Sequence, residues 1–328
     1  MNREPVEVSA PSNIALIKYM GKVDTQLNRP SNASLSYTLE NLRTYVRITP
    51  IDAAEDQWQP LKREGLQAIE LSEKGRTRFL KHFQNLKAKW GVQGHFIVES
   101  ANNFPSDCGL ASSASSFAAL TLAAAKMFQQ VAPQPWGEDL KELSSLSRMG
   151  SGSSCRSLYT PWALWKEEYA EPALLEFKEL HHLVVLVESG KKEVSSSEAH
   201  KLVVTSPRFE GRIERAHMRL NDLIHALRFN DWNMAVQICW DEFIDMHKLF
   251  ETSSPAFSYM TDGSHQVLDW LKKQFDRYGD GPIVTMDAGA NVHLLFRKDD
   301  RQRFDTYKKE LSAQFPVMAY PWVDSHLN

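Results

Sequence analysis

Hydrophobic and polar residues follow two different periods along the 328-residue chain. Alternation with period two, in β-branched and aromatic residues, predicts strands at 35–39 and 44–48. Apolar positions at helical spacing predict a helix over 74–90 and two strongly amphipathic helices over 211–229 and 232–250. Because strands and helices alternate in both halves, the pattern indicates an α/β or α+β fold.

The rest of the chain continues this alternation. Further strands are predicted at 6–17, 96–98, 162–165, 183–187, 282–287 and 292–296, and further helices at 117–127, 140–146, 265–275 and 303–315. The polar and irregular stretch 52–65 predicts a surface hairpin. A change of texture near residue 180 predicts an N-terminal domain of residues 1–180 and a C-terminal domain of residues 181–328.

Composition narrows the class of protein. A chain with 42% hydrophobic and 24% charged residues can form one large or two medium-sized cores. A net charge of -3 lacks the positive field of nucleic-acid binding, so we expect no nucleic-acid partner. The apolar segments are too short to cross a bilayer and the N-terminus has no signal core, so we expect no membrane partner and a cytoplasmic location. Three cysteines without a CxxC pair indicate neither a disulfide framework nor a zinc knuckle.

A loop before the helix predicted at 117–127 has a pattern typical of phosphate binding. Residues 105–114 read P-x-x-x-G-L-x-S-S-A, in which Gly109 allows a close backbone approach and two serines supply hydroxyls. The following helix would point unpaired N–H groups and its positive dipole end at a ligand. An ordinary serine cap would explain Ser-Ser-Ala alone, but the preceding proline and glycine favour phosphate binding.

Three further segments carry candidate chemistry. The glycine- and serine-rich stretch 150–156 ends in Arg156, whose planar fork suits a carboxylate or phosphate, although the stretch could also be a linker or a helix C-cap. Asp287 ends an apolar strand before a turn, where an aspartate can also serve simply to turn the chain. Lys18 and Lys22 place two cations after the first strand, and ordinary solvated lysines are the alternative. The chain has no Walker-A, GxSxG or HExxH motif, and its histidines lack metal-ligand spacing.

Together and in this order, these segments resemble the GHMP kinase superfamily of small-molecule kinases, and within it the diphosphomevalonate decarboxylase family. Residues 10–22 are similar to that family's A-P-x-N-I-A-x-I-K-Y-W-G-K, 150–158 to its G-S-G-S-A-C-R-S-L and 287–291 to its D-A-G-P-N. Met20 stands where tryptophan is usual and Ala290 where proline is usual. The resemblance spans nearly the whole chain and implies a two-domain fold with the active site in the cleft between the domains.

The resemblance also implies a reaction and a set of site residues. The reaction is an ATP-dependent decarboxylation in isoprenoid biosynthesis: the C3 hydroxyl of mevalonate 5-diphosphate is phosphorylated, and phosphate and carbon dioxide then leave to give isopentenyl diphosphate. The implied catalytic residues are Lys18, Ser113, Arg156 and Asp287; the implied substrate contacts are Tyr19, Lys22, Arg78 (with Arg76 as a rival), Ser151, Ser153, Arg156 and Ser196; the implied ATP contacts are Asn103, Pro105, Gly109, Leu110, Ser112 and Ser113. Mg²⁺ would bridge ATP phosphates and the Ser113 hydroxyl.

Other functions remain open at this stage. A relative with the same fold could be a mevalonate 3-kinase or a phosphomevalonate decarboxylase. The presence of Lys18, Lys22 and Arg156 argues against both, because an enzyme that handles an uncharged C5 hydroxyl gains nothing from two lysines. A catalytically silent ATP-binding module is a third alternative, and the presence of Asp287 argues against it. Exposed apolar residues on the two long helices would suit a homodimer.

Overall fold

The computed structural model describes residues 4–105, 112–132, 137–187 and 193–320. Within these residues, the first half forms a seven-stranded sheet and the second half a four-stranded sheet, with a two-stranded ribbon after the first strand. The strands are β1 (Val6–Ile17), β2 (Lys22–Asp24), β3 (Arg29–Pro30), β4 (Ser34–Ile51), β5 (Gln57–Pro60), β6 (Gln67–Ala68), β7 (His95–Asn102), β8 (Trp162–Trp165), β9 (Ala170–Pro172), β10 (Leu180–Val185), β11 (Ile283–Thr285), β12 (Val292–Arg297) and β13 (Val317–Tyr320). The helices are α1 (Glu73–Lys89), α2 (Ser112–Val131), α3 (Leu140–Gly150), α4 (Ser196–Leu202), α5 (Arg212–Arg228), α6 (Trp232–Glu251), α7 (Asp262–Tyr278) and α8 (Arg301–Ser312).

The antiparallel pair of β1 and β4 is the frame of the first sheet. The two strands predicted at 35–39 and 44–48 are one strand, β4, so their separation was wrong. β1 pairs with β4 from Val6 opposite Ile48 to Ile17 opposite Leu35. The register shifts between Pro11 and Ser12, so that residues 40–42 of β4 have no partner on β1. A bulge of this kind bends a strand without ending it, which is why the break in alternation there did not mark a turn.

The predicted surface hairpin at 52–65 was also wrong. This stretch contains β5, which pairs with β7 in parallel rather than with a neighbour in sequence. The connection from β5 to β7 contains α1, as a parallel crossover requires. Phe79, Phe83 and Leu86 on α1 are buried in the same apolar cluster as the alanine-rich α2, whose small side chains allow close packing.

In the second sheet, strand order is β11-β12-β10-β13 and both faces are covered. Along β10, Val184 lies in one apolar cluster, whereas Leu183 and Val185 lie in another, as the alternation of a strand requires. The cluster around Val184 contains residues from both halves of the chain, among them Leu16 of β1 and Leu220 of α5. This shared core brings the end of β1 beside the end of β11.

The remaining predicted elements are confirmed, with ends that differ by a few residues. The strands at 6–17, 162–165 and 292–296 are β1, β8 and β12; those at 96–98, 183–187 and 282–287 are β7, β10 and β11; the predicted helices are α1, α2, α3, α5, α6, α7 and α8. One shift bears on function: β11 ends at Thr285, so Asp287 lies in the turn that follows the strand. No helix among the described residues is long and apolar enough to cross a membrane.

A buried ion network joins α5 to α6 and to the end of β1. The guanidinium of Arg212, which is fully buried, lies 2.9 Å (Nη1) from Glu242 Oε2 and 3.3 Å from Asp245 Oδ2. Arg219 Nη1 reaches the same two acids at 3.0 and 3.1 Å. The other carboxylate oxygen of Glu242 accepts a hydrogen bond of 2.9 Å from the backbone N–H of Lys18. The network therefore fixes the backbone from which the Lys18 side chain extends.

We expect Glu242→Ala to lower the free energy of unfolding by about 3 kcal/mol, because it removes one of the two carboxylates that pair with Arg212 and Arg219 and leaves buried arginine charge only partly compensated. Denaturant unfolding followed by circular dichroism measures the loss. Asp305→Ala is the matched control, since it removes an exposed pair with Arg301 on α8 and should cost less than about 1 kcal/mol. Equal losses in the two variants would contradict this view of the network.

Candidate functional site

The shared core brings together a lysine and an aspartate from opposite ends of the chain. Lys18 follows β1 and Asp287 follows β11, and Lys18 Nζ lies 2.7 Å from Asp287 Oδ1. The Lys18 side chain is 2% exposed, whereas that of Asp287 is 31% exposed. The ammonium is thus enclosed, and the carboxylate can be reached from solvent.

The charges of this pair are set by burial and by each other. Burial lowers the pKa of Lys18, although the attraction of Asp287 opposes this shift. Burial alone would raise the pKa of Asp287, but the charge of the Lys18 ammonium and its hydrogen bond to the carboxylate outweigh burial and hold that pKa below its usual range. Asp287 is therefore ionised near neutral pH and can accept a hydrogen bond from a ligand hydroxyl.

Arg156 lies in a 3-10 helix, Gly152–Leu158, that directly follows α3. The glycine- and serine-rich stretch is therefore neither a linker nor a simple C-cap. The Ser154 hydroxyl donates to the carbonyl of Ser147 at 2.7 Å and holds the segment against α3. Two N–H groups of the buried Arg156 guanidinium are used internally: Nε donates to Asn13 Oδ1 at 3.1 Å and Nη1 to Ser34 Oγ at 2.8 Å.

Asn13 is a residue that the sequence reasoning missed. Its amide also donates to the carbonyl of Ser153 at 3.1 Å and to the hydroxyl of Ser157 at 2.8 Å, so it joins β1 to the 3-10 helix. The available signal was a polar pair, Ser12 and Asn13, in the second part of β1 (residues 10–17), which is otherwise apolar. Both residues are buried, and a buried amide is placed in a strand only where it finds partners.

Tyr19 packs tightly between the two halves of the chain. Its ring lies 4.5 Å from that of Trp165 and 4.4 Å from that of His200 on α4. Gly152 allows this approach, because a Cβ atom at that position would lie 2.7 Å from the Tyr19 ring. A glycine is therefore needed at position 152, because a larger residue would collide with Tyr19.

A cavity of about 310 Å³ opens between the turn after β1, α1, the end of α3 and α4; Tyr19 does not line it but contacts His200, which does. The lining residues are Lys22, Thr25, Gln26, Asn28, Arg78, Lys81, His82, Asn85, Met149, Gly150, Ser197, His200 and Lys201. Four of these side chains are cationic and, within the described part of the chain, none is a carboxylate. Such a lining is suited to an anion that carries more than one charge.

Two of the cations are held by neutral groups. Lys22 Nζ donates to Asn28 Oδ1 at 2.7 Å, and Arg78 Nη2 donates to the carbonyl of Gly150 at 2.7 Å. Burial, with repulsion from Arg78 and Lys201, lowers the pKa of Lys22 to about 8. The rival Arg76 lies elsewhere, with its guanidinium 5.8 Å from the Trp58 ring centre.

The other residues implied for substrate binding differ in their position relative to the cavity. Ser151 and Ser153 flank Gly152, next to Arg156. Ser196 is the exposed first residue of α4 and does not line the cavity, whereas Ser197 does. Met20 does not line it either, because its side chain is buried in an apolar cluster with Met246 and Phe250.

The residues implied for ATP are only partly described. Gly109 and Leu110 lie outside the described residues, and Pro105 is the last one before that gap. Ser112 and Ser113 are the first two residues of α2, and Ser113 is exposed. The side chain of Asn103 accepts from the backbone N–H of Arg43 at 2.7 Å and donates to the carbonyl of Asn41 at 3.0 Å, so it already joins β7 to β4.

Buried histidines surround Asp287, which the sequence reasoning did not anticipate. His247 Nε2 lies 3.1 Å from the backbone carbonyl oxygen of Asp287. Nδ1 of His293 on β12 lies 3.0 Å from Nε2 of His182 on β10. Burial lowers the pKa of His247 to about 3 and that of His293 to about 4, so both rings are neutral near pH 7. The rings pack around Asp287 without adding charge.

Comparisons with known proteins identify the family of this chain. The family model for the diphosphomevalonate decarboxylase-like N-terminal domain matches residues 10–173, and the model for the mevalonate 5-diphosphate decarboxylase C-terminal domain matches residues 182–318. The chain is 31% identical to diphosphomevalonate decarboxylase of Saccharomyces cerevisiae, over 94% of this chain and 82% of that protein. It is 30% identical to the enzyme of the same name from Danio rerio, over 90% of this chain and 77% of that protein.

Solved structures give the same result. The crystal structure of a mevalonate diphosphate decarboxylase from Legionella pneumophila has a TM-score of 0.90 and 45% identity, covering 96% of this chain and 100% of that one. A structure described as MDDEF in complex with MVAPP, AMPPCP and magnesium has a TM-score of 0.84 and 31% identity, covering 97% of each chain. The fold is thus the α/β fold of the GHMP kinase type, as predicted. Within this class, the chain belongs to the diphosphomevalonate decarboxylase family.

We expect the affinity of the cavity for inorganic pyrophosphate to depend on the charge of Lys22. Because the pKa of Lys22 is lowered to about 8, this side chain loses its proton, and with it much of its attraction for the anion, between about pH 7 and about pH 9. The ratio of the dissociation constants of Lys22→Met and wild type, measured by calorimetry, should therefore fall over this range. The ratio cancels the titration of pyrophosphate itself. A constant ratio would contradict the assignment.

Proposed function

We propose that the protein catalyses the ATP-dependent decarboxylation of mevalonate 5-diphosphate to isopentenyl diphosphate, ADP, phosphate and carbon dioxide. The observation that carries this proposal is the accessible carboxylate of Asp287, fixed by the buried ammonium of Lys18 at 2.7 Å, in a molecule that also contains a cavity lined by cations. Membership of the diphosphomevalonate decarboxylase family supports it.

The cavity lined by cations would hold the diphosphate of the substrate. Lys22, Arg78, Lys81 and Lys201 line it, and no carboxylate of the described lining neutralises them. A diphosphate brings several negative charges into a partly dry space, where attraction to nearby cations is stronger than in water. Lys81 and Lys201 were not among the residues expected from sequence, and their positions support a substrate with more charge than a monophosphate.

Asp287 would act on the C3 hydroxyl during phosphoryl transfer. A tertiary alcohol is a poor nucleophile, and a hydrogen bond to the carboxylate orients its oxygen towards the γ-phosphorus of ATP. As the oxygen–phosphorus bond forms, the bond from the γ-phosphorus to the bridging oxygen of ATP breaks, ADP leaves and the hydroxyl proton moves to Asp287. Because Lys18 holds the pKa of Asp287 low, orientation contributes more to this step than basicity does.

Arg156 would hold the substrate carboxylate during the second step. Its contacts with Asn13 and Ser34 fix the guanidinium plane, so that the N–H groups not used in these bonds can bind a carboxylate, helped by Ser151 and Ser153. When the C3 phosphate leaves, the electron pair of the bond to the carboxylate carbon forms the new double bond. Carbon dioxide is released in the same step.

The start of α2 would bind the phosphates of ATP. Ser112 and Ser113 lie in its first turn, where backbone N–H groups and the helix dipole favour an anion; Asn103, Pro105, Gly109 and Leu110 precede it. In the described residues, no group of three His, Cys, Asp or Glu side chains could hold a metal ion. Ser113 would be a protein ligand of a Mg²⁺ ion that enters with ATP, because such ions need only one or two protein groups. When bound, Mg²⁺ would neutralise phosphate charge.

We also propose a homodimer in the cytoplasm and a domain boundary near residue 180. Met218 of α5 is 60% exposed and Phe229, which caps the end of α5, is 70% exposed, which supports an apolar contact between copies. Cys155 and Cys239 are free thiols, which supports the cytoplasmic location because disulfides are rare in reducing compartments. The first sheet ends with β9 and the second begins with β10, which supports the boundary.

The proposed reaction is tested by supplying ATP with mevalonate, its 5-phosphate or its 5-diphosphate and measuring ADP, phosphate and carbon dioxide separately. We expect equal amounts of all three products, and highest kcat/KM with the diphosphate. ADP without carbon dioxide from mevalonate would indicate a 3-kinase, and preference for the 5-phosphate a phosphomevalonate decarboxylase. No turnover with any substrate would indicate a silent ATP-binding module.

A further inference from the structure

We propose that Asn28 is a positioning residue, which holds the Lys22 ammonium in the cavity without neutralising it and thereby sets the affinity for the diphosphate group. The identity of the ligand rests on the proposed function. The role of Asn28 rests on its own contacts. It lies in the turn between β2 and β3 and lines the cavity together with Lys22.

The orientation of the Asn28 side chain is determined by three hydrogen bonds. Its NH₂ group donates to the carbonyls of Arg148 at 3.0 Å and Met149 at 3.1 Å, and its Oδ1 atom accepts from Lys22 Nζ at 2.7 Å. A flipped amide would place NH₂ against an ammonium and an oxygen against two carbonyls. The oxygen therefore always faces Lys22.

These contacts tie two cations to the same helix end. Asn28 uses the carbonyls of Arg148 and Met149, and the next carbonyl, that of Gly150, accepts from Arg78 Nη2 at 2.7 Å. The last carbonyls of a helix have no partner within the helix, so such donors are stabilising there. The end of α3 thus fixes the position of Lys22 relative to Arg78.

An amide suits this role better than a carboxylate would. An aspartate at position 28 would attract Lys22 more strongly, but it would also cancel the charge needed for the anion and would repel the anion itself. It could not donate to the carbonyls of α3 either. Asn28 fixes the ammonium and leaves its positive charge for the ligand.

The backbone conformation at position 28 also favours asparagine. Its φ angle is +52°, a left-handed conformation that asparagine tolerates better than most residues. The turn is fixed independently by Asp24, whose Oδ1 atom accepts from the backbone N–H groups of Gln26 at 2.8 Å and Leu27 at 2.9 Å. Glycine at position 28 would therefore keep the turn and remove only the amide.

The experiment compares Asn28→Gly and Asn28→Asp with wild type by calorimetric titration of inorganic pyrophosphate, together with steady-state KM values for ATP and for mevalonate 5-diphosphate. We expect both variants to raise the dissociation constant of pyrophosphate by about tenfold or more, the usual effect of losing a hydrogen bond to a charged group. The KM for mevalonate 5-diphosphate should rise in parallel, and the KM for ATP should stay near the wild-type value.

A double-mutant cycle separates positioning from a structural role. In the Lys22→Met background, Asn28→Gly should weaken pyrophosphate binding no further, because the group that Asn28 positions is gone. Asn230→Gly is the matched control: Asn230 is exposed, has a φ angle of +59° and lies in the turn between α5 and α6, so it should not affect binding.

Equal loss of affinity from Asn28→Gly with and without Lys22 would overturn the proposal, as would unchanged affinity in Asn28→Gly or a wild-type protein that does not bind pyrophosphate. These outcomes are distinct from a failure of the proposed function. A protein that shows the expected cycle with pyrophosphate but does not turn over mevalonate 5-diphosphate would retain the role of Asn28 and lose only the proposed reaction.

Discussion

The ion pair between the buried ammonium of Lys18 and the carboxylate of Asp287 is the constraint on which the site depends. The two residues are 269 positions apart in sequence, and their charged atoms lie 2.7 Å apart. A lysine as buried as Lys18 loses several kcal/mol of hydration, which only a close partner offsets. The shared apolar core brings the partners together, and the network of Glu242 and Arg212 fixes the Lys18 backbone. The site therefore forms only when the two halves of the chain pack against each other.

Lys18 and Lys22 are four residues apart, yet their positive charges have different partners. Lys18 is paired with a carboxylate, so its charge serves to fix and ionise Asp287. Lys22 is held only by the amide oxygen of Asn28, so its charge is available to a ligand. This difference agrees with two tasks in one substrate, the orientation of a hydroxyl at one end and the binding of a diphosphate at the other.

Much of the fold could be predicted from the sequence because its helices have clear apolar faces. α5 and α6 were found almost to the residue, whereas β4 was divided because a bulge interrupts its alternation. The candidate site could be located through short motifs, but not its hydrogen bonds. Asn13 and Asn28 are each held in place by partners more than 100 positions away, and no local pattern reveals such contacts. The choice between Arg76 and Arg78 likewise depended on which side of α1 faces the cavity.

The most direct test of the central claim is a kinetic double-mutant cycle of Lys18→Met and Asp287→Asn, with kcat measured on mevalonate 5-diphosphate and ATP. If the two groups act as one unit, each single variant should lower kcat by at least about 100-fold. The double variant should then be about as slow as the slower single variant, because the second change removes nothing that still functions. Losses that multiply in the double variant would contradict the claim that Lys18 acts through Asp287.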